Sequence, residues 1–176
     1  MKSMVVATVA AISLSLGVGI GMAARLTGAG ISLIAGKSDH EAGLAALAEA
    51  ERLAGNSASD LIAVGRVYYL SGDHARAEDL FNRAAGGKPK SGRFQSIAEV
   101  YADAGDTAKA EENYNKMLAL DPDEESQRAE VGAWYIRIGQ RAKGEQLLSK
   151  AFQMGPHDSS LYLRAAESLL GVPVGR

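Results

Sequence analysis

The sequence predicts an all-α chain of stacked helical hairpins, and three observations predict it. The first is a period: Gly105-Asp106 follows Gly72-Asp73 by 33 residues, and Gly139 follows Gly105 by 34. Self-similarity at this interval is the mark of one supersecondary unit repeated along the chain. The second is the spacing inside the period, where apolar and small residues recur at intervals of 3, 4 and 7, as on one face of a helix. The third is punctuation. Gly72, Gly105 and Gly139 break each unit in the middle, and Pro89, Pro122 and Pro156 close it. Glycine supplies the positive φ that ends a helix, and proline cannot continue a helix interior. Each unit reads as helix, tight turn, helix, stop.

Aligned on the turn glycine, the units share columns. Leu61, Phe94 and Tyr162 fall in one, with Arg128 out of place in the third copy. Val64, Ile97, Val131 and Ala165 fill the next, followed by Gly65, Ala98, Gly132 and Ala166, and then by Tyr68, Tyr101, Tyr135 and Leu169. After the turn come Ala77, Ala110 and Gly144, then Phe81, Tyr114 and Leu148, then Ala84, Met117 and Ala151. Antiparallel helices approach closely only where facing side chains are small, so the small columns are expected between the helices of a hairpin. The large columns then fill the space between hairpins.

On these columns the chain resembles the tetratricopeptide repeat family over about residues 58–170. The resemblance implies a TPR-type α-solenoid of about three and a half hairpins; the uncharged run before it is expected to form an N-terminal apolar (transmembrane or signal) helix. The resemblance specifies a scaffold and leaves function open. The implied divisions are 25–57 for a degenerate first repeat, 58–90, 91–124 and 125–158 for three full repeats, 159–170 for a capping helix and 171–176 for a tail.

The first helices of the full units are expected at about 59–71, 92–104 and 124–138, and the second at 74–85, 107–119 and 141–153. A last helix at about 158–170 is expected to cover the open end of the stack, as terminal units must. Upstream, Asp39-His40 precedes Asp73-His74 by 34, and Gly43, Leu47 and Ala50 match Ala77, Phe81 and Ala84. Residues 39–54 therefore read as the second helix of a unit whose first helix, about 25–36, is weakened by Gly28 and Gly30. Asp121, Asp123, Glu124 and Glu125 lie at the start of a helix, where carboxylates favour the positive end of the dipole. A cation or a basic partner is the second reading of that cluster.

The chain has 176 residues, 47% hydrophobic and 23% charged, with a formal net charge of −2. That suits one small domain plus one apolar segment, and it lacks the basic bias of a nucleic-acid binder. There is no cysteine, which removes disulfides, zinc–thiolate sites, cysteine nucleophiles and the lipid-bearing cysteine of a lipoprotein. Met4 to Ala24 carries no charge and lies between Lys2 and Arg25. Its length can span a bilayer core. It reads either as a signal anchor retained as a transmembrane helix or as a signal peptide cleaved near Gly21-Met22-Ala23. The first reading places the protein in an inner membrane with the repeats on the periplasmic side, and the second makes it soluble in the periplasm or secreted. Ala7, Ala11, Ser15, Gly17, Gly19 and Gly21 give the segment a small-residue face suited to packing on another membrane helix.

The sequence offers no catalytic constellation. There is no H-E-x-x-H, no G-x-S-x-G and no phosphate loop. Gly17, Gly19 and Gly21 lie within an apolar run rather than between a strand and a helix. His40 and His74 share one repeat column and read as packing residues, His157 falls in a loop, and Glu111-Glu112 reads as a solvated pair. The expectation is a non-enzyme without cofactor or metal, an interaction scaffold assisting a bacterial envelope complex of pilus, secretion or respiratory type. The alternative is an integral subunit packed through its N-terminal helix. In either case the partner is a protein, with no nucleic acid, membrane contact through an uncleaved N-terminus, and homo- or hetero-oligomers open.

The resemblance also implies where a partner sits, in the groove lined by first helices. Carried over by position, the candidates are Ile62, Arg66 and Tyr69, then Gln95, Glu99 and Ala102, then Ala129, Ala133 and Ile136, with Leu163 and Glu167 extending the row. Members that clamp a peptide carboxylate use a Lys and Asn pattern, and no Asn occupies these positions. The mixed apolar and charged set suits an amphipathic helix or an extended segment. Trp134 is divided between packing and partner contact. Lys88, Lys90 and Arg93 form a basic edge that reads as a solvated turn before it reads as a partner or headgroup site.

Overall fold

The computed structural model describes residues 30–172, which contain helices and no strand. They are α1 (Asp39–Ala54), α2 (Ala58–Leu70), α3 (His74–Ala85), α4 (Ser91–Asp103), α5 (Thr107–Leu120), α6 (Glu125–Arg137), α7 (Arg141–Met154) and α8 (Ser159–Leu170). The fold class is all-α. The apolar segment 1–24, with its packing candidates from Ala7 to Gly21, lies outside the described residues. Among the described residues no helix is long and apolar enough to cross a membrane.

The chain divides into two compact units, residues 1–49 and 50–176. In the first, a helical turn at 30–34 ends at Gly36, whose φ is +75°. The start of α1 is capped by Ser38, one residue earlier than the Asp that caps later helices. Glu41 N–H donates to Ser38 Oγ at 3.3 Å, and Ser38 N–H donates to Glu41 Oε2 at 3.0 Å. This is a reciprocal capping box, and the Ser38 hydrogen bonds draw the Glu41 carboxyl below its ordinary pKa.

In the second unit the helices pair in order: α2 packs on α3, α4 on α5 and α6 on α7, while α8 packs mainly on α6. The breaks between paired helices have a local cause. Gly72 and Gly105 adopt φ of +97° and +77°. The next residue caps the following helix: Asp73 Oδ1 accepts from Arg76 N–H and Asp106 Oδ1 from Lys109 N–H, each at 3.1 Å. The third copy keeps the glycine, Gly139, but Gln140 makes no side-chain cap.

The small columns sit where the paired helices touch. A Cβ on Gly65 would come 2.6 Å from Phe81 Cε1. On Gly132 it would come 2.9 Å from Leu148 Cγ and 3.1 Å from the Gly144 carbonyl oxygen. These contacts hold α2 on α3 and α6 on α7 closer than alanine allows. The core they help close includes Leu61, Leu80, Ile97, Tyr114, Met117 and Val131. Arg128, which breaks its apolar column, is buried with Nη2 donating to the Pro122 carbonyl and Nε unpaired among the described residues.

Candidate interaction cleft

Successive hairpins are joined by a repeated polar clasp. Glu78 on α3 accepts from Tyr101 Oη on α4 at 2.8 Å and from Lys109 Nζ on α5 at 2.6 Å. One unit later Glu111 on α5 accepts from Tyr135 Oη on α6 at 2.7 Å and from Lys143 Nζ on α7 at 2.9 Å. An earlier counterpart joins Glu51 to Arg76, with Nε to Oε2 at 3.0 Å. Its tyrosine, Tyr68, has its pKa raised by burial and then by Glu51. Burial, followed by the carboxylate neighbour, likewise raises the hydroxyl pKa of Tyr101 and Tyr135. The hydrogen bonds from Lys143 and Tyr135 hold Glu111 below the usual carboxylate range. The expected solvated pair Glu111-Glu112 is therefore split. Glu111 is half-buried in a clasp, and Glu112 is exposed, bonded to Lys116 at 2.7 Å.

Hairpin spacing is uneven. The first helices α2 and α4 touch, and α6 and α8 touch, but α4 and α6 make no close backbone contact. Between them lies an open cleft of about 1290 Å³. Trp134 sits at this point, where the preceding units carry Val67 and Val100. The indole is buried, its centroid 5.0 Å from Tyr114 and 4.8 Å from Tyr135. Its volume occupies the gap between α5 and α6, so Trp134 is a packing residue that also borders the cleft.

The cleft is lined mainly by α4, α6 and α8, with Tyr114 of α5 and Arg141 of α7, and its charges are segregated. On the α4 wall stand Gln95, Glu99, Ala102 and Asp103. Gln95 Nε2 donates to Glu99 Oε1 at 3.1 Å, and Arg66 Nη2 reaches Asp103 Oδ2 at 3.4 Å. On the opposite wall Arg137 and Arg164 converge on one carboxylate, Glu130, with Arg137 at 3.7 Å. Arg141 lines the same end, bonded to Glu145 at 2.7 Å. Two guanidiniums sharing one carboxylate leave this wall with surplus positive charge. Ile136, Leu169, Leu170 and Val172 add apolar surface to the lining.

Of the residues placed in the groove by position, Gln95, Glu99, Ala102 and Ile136 line the cleft. Arg66 lies beside it through Asp103. Ile62, Tyr69, Ala129 and Ala133 are buried in the packing and offer no free side chain. Tyr69 instead stacks on His74 at 4.4 Å and donates to Asp106 Oδ2 at 2.9 Å. Leu163 is exposed and Glu167 half-buried on α8, outside the lining. The residues that position missed are Glu130, Arg137 and Arg164. The signal for them was charge: three ionisable side chains within the last two first-type helices.

The remaining candidates are structural or solvated. Asp121 accepts from Ser91 Oγ and from Gln127 Nε2, which ties the start of α4 to the α5–α6 turn. Glu125 occupies the first turn of α6. Lys88 and Lys90 are exposed, while Arg93 Nη1 donates to the Gly86 carbonyl at 2.9 Å. His40 and His157 are exposed. Among the described residues no group of three His, Cys, Asp or Glu side chains is placed to hold a metal ion. No protein-family model matches the chain, and no curated protein matches it.

Proposed function

We propose that this protein is an interaction scaffold of tetratricopeptide repeat type that holds a helical or extended segment of a partner protein in the cleft between α4 and α8. The observation that carries the reading is the cleft itself: about 1290 Å³, with apolar residues in its lining, an acidic wall on α4 and a guanidinium-rich wall on α6 and α8. Supporting it are the repeat columns, the helical pairs and the inter-hairpin clasps, which together make a rigid platform for an exposed face. Such a surface suits recognition of a segment already carrying opposite charges at its two ends. In this reading the N-terminal apolar segment displays the repeats at a membrane, on the periplasmic side of an inner membrane. There they assist assembly of an envelope complex.

The test is affinity purification of the full chain from the cells that encode it, beside a Glu99→Arg, Arg137→Glu double variant. The partner is expected to be retained by the native chain and lost, at least tenfold, from the variant. Equal recovery from both refutes the cleft as the binding site. Recovery of the partner only through a variant-sensitive N-terminal segment, with Gly17→Leu and Gly21→Leu releasing it, favours the integral-subunit alternative.

A further inference from the structure

The joint between the second and third hairpins lacks ties that close the joint before it. Between the first and second hairpins, Arg66 Nη2 of α2 donates to Asp103 Oδ2 of α4 at 3.4 Å, and Tyr69 Oη donates to Asp106 Oδ2 at 2.9 Å. The repeat carries both pairs forward. Glu99 stands 33 residues after Arg66, and Arg137 stands 34 after Asp103, the same offsets as the turn glycines. Ala102 and Gln140 stand likewise after Tyr69 and Asp106. That second pair cannot bond, because alanine has no hydroxyl. The first keeps opposite charges with their places exchanged, the carboxylate now on α4 and the guanidinium on α6. In this structure the two are apart. Glu99 accepts from Gln95 Nε2 at 3.1 Å, and Arg137 reaches Glu130 at 3.7 Å. Both line the cleft, on opposite walls, where α4 and α6 make no close backbone contact.

We propose that Glu99 and Arg137 form a latch: α6, α7 and α8 swing together on the α5–α6 junction, and the pair closes the cleft as Arg66 and Asp103 close the joint before it. Little holds the two residues in their present bonds. Glu130 also pairs with Arg164, so the departure of Arg137 leaves that carboxylate paired. Glu99 gives up one amide partner on its own helix. Glutamate is one methylene longer than aspartate, so this pair spans a wider gap than its counterpart. The junction supplies a pivot, with Tyr135 of α6 bonded to Glu111 of α5 at 2.7 Å and Trp134 packed on Tyr114. Its described arrangement is not fully satisfied. Among the described residues, the buried side-chain polar atoms without a hydrogen-bond partner are Gln127 Oε1 and Arg128 Nε, both in the first turns of α6. Unpaired buried groups cost free energy, which lowers the cost of turning away from this arrangement. An exposed ion pair contributes little by itself, so the open and closed forms coexist. The latch does not rest on the proposed function, but it bears on it: a segment seated in the cleft would part the two side chains and hold the latch open.

The chain has no cysteine, so a pair introduced for labelling is unique. Ala75→Cys on α3 and Gln140→Cys before α7 are at exposed positions on either side of the junction. Spin labels on both, in the full chain, report the separation by pulsed dipolar spectroscopy. Two distances are expected. The ratio of the shorter to the longer should fall at least about twofold in Glu99→Arg, and likewise in about 1 M sodium chloride, which screens an exposed pair. It should return in the double variant Glu99→Arg, Arg137→Glu, where the charges are exchanged but still opposite. A single distance in the native chain overturns the proposal, as does a shorter distance that Glu99→Arg leaves unchanged or that the double variant fails to restore. The double variant also separates the latch from the proposed function, because it is expected to lose the partner and keep the shorter distance.

Discussion

Gly132 shows how one missing methyl group sets the distance between two helices. Its neighbours at Cβ range are the Leu148 side chain and the backbone of α7 itself, at 3.1 Å for both the Gly144 carbonyl oxygen and the Leu148 nitrogen. A backbone cannot rotate aside as a side chain can. Gly132→Ala is therefore expected to destabilise the fold by about 1–3 kcal/mol, the range for overpacking. Gly65 faces only the edge of the Phe81 ring. That ring is itself buried and packed edge-on against Tyr101, so it yields only in part, while the gain of about 1 kcal/mol in helix propensity offsets some of the loss; Gly65→Ala should destabilise the fold, but by less than Gly132→Ala, where backbone stands in the way. Urea unfolding of the two variants checks the ordering; equal losses would show that the backbone contact does not matter. Both glycines were legible in the sequence, because a small column repeated in register has a direct steric meaning. The burial of Ala129 and Ala133 was not legible, because position on a first helix fixes a face but not how close the next helix comes to it.

At the scale of elements, the hairpins owe their order to local chemistry and their stacking to the clasps. The Gly-Asp breaks are readable from sequence because positive φ and side-chain capping act within a few residues. The clasps were also present as a period, with Glu78 and Glu111 spaced by 33 residues and Lys109 and Lys143 by 34. Polar residues on a helix surface carry no sign of burial by themselves, so Glu111 read as solvated. Removing its carboxylate leaves the half-buried Tyr135 hydroxyl without its acceptor. Glu111→Ala should cost about 1–2 kcal/mol, as for a hydrogen bond to a charged group that is partly exposed to solvent. The clasp also predicts an acid limb. Hydrogen bonds hold Glu111 and Asp106 below the usual carboxylate range. Their contribution is complete above the unfolded-state pKa of about 4, where the unfolded chain would take up protons first. It is lost as pH falls through the lower folded value. Thermal melts should therefore be level down to about pH 5 and fall below about pH 4, less steeply in Glu111→Gln. A melt that falls equally in both would remove Glu111 from the account.

For the repeat-bearing unit as a whole, the cleft lies where the regular spacing fails. A perfectly even stack would offer a uniform face. Here Trp134 stands in place of a valine, α4 and α6 separate, and a cleft opens with Glu99 and Asp103 on one side and Arg137 and Arg164 on the other. The sequence showed the tryptophan and the charges. It did not show the opening, which depends on the volume packed between hairpins rather than on any residue's type. The most direct test of the proposed function is amide hydrogen exchange of the full chain with and without a protein recovered with it by affinity purification. Protection confined to the cleft-facing helices α4, α6 and α8 is the predicted result. Protection confined to the second helices α3, α5 and α7, with the cleft helices unchanged, would contradict it.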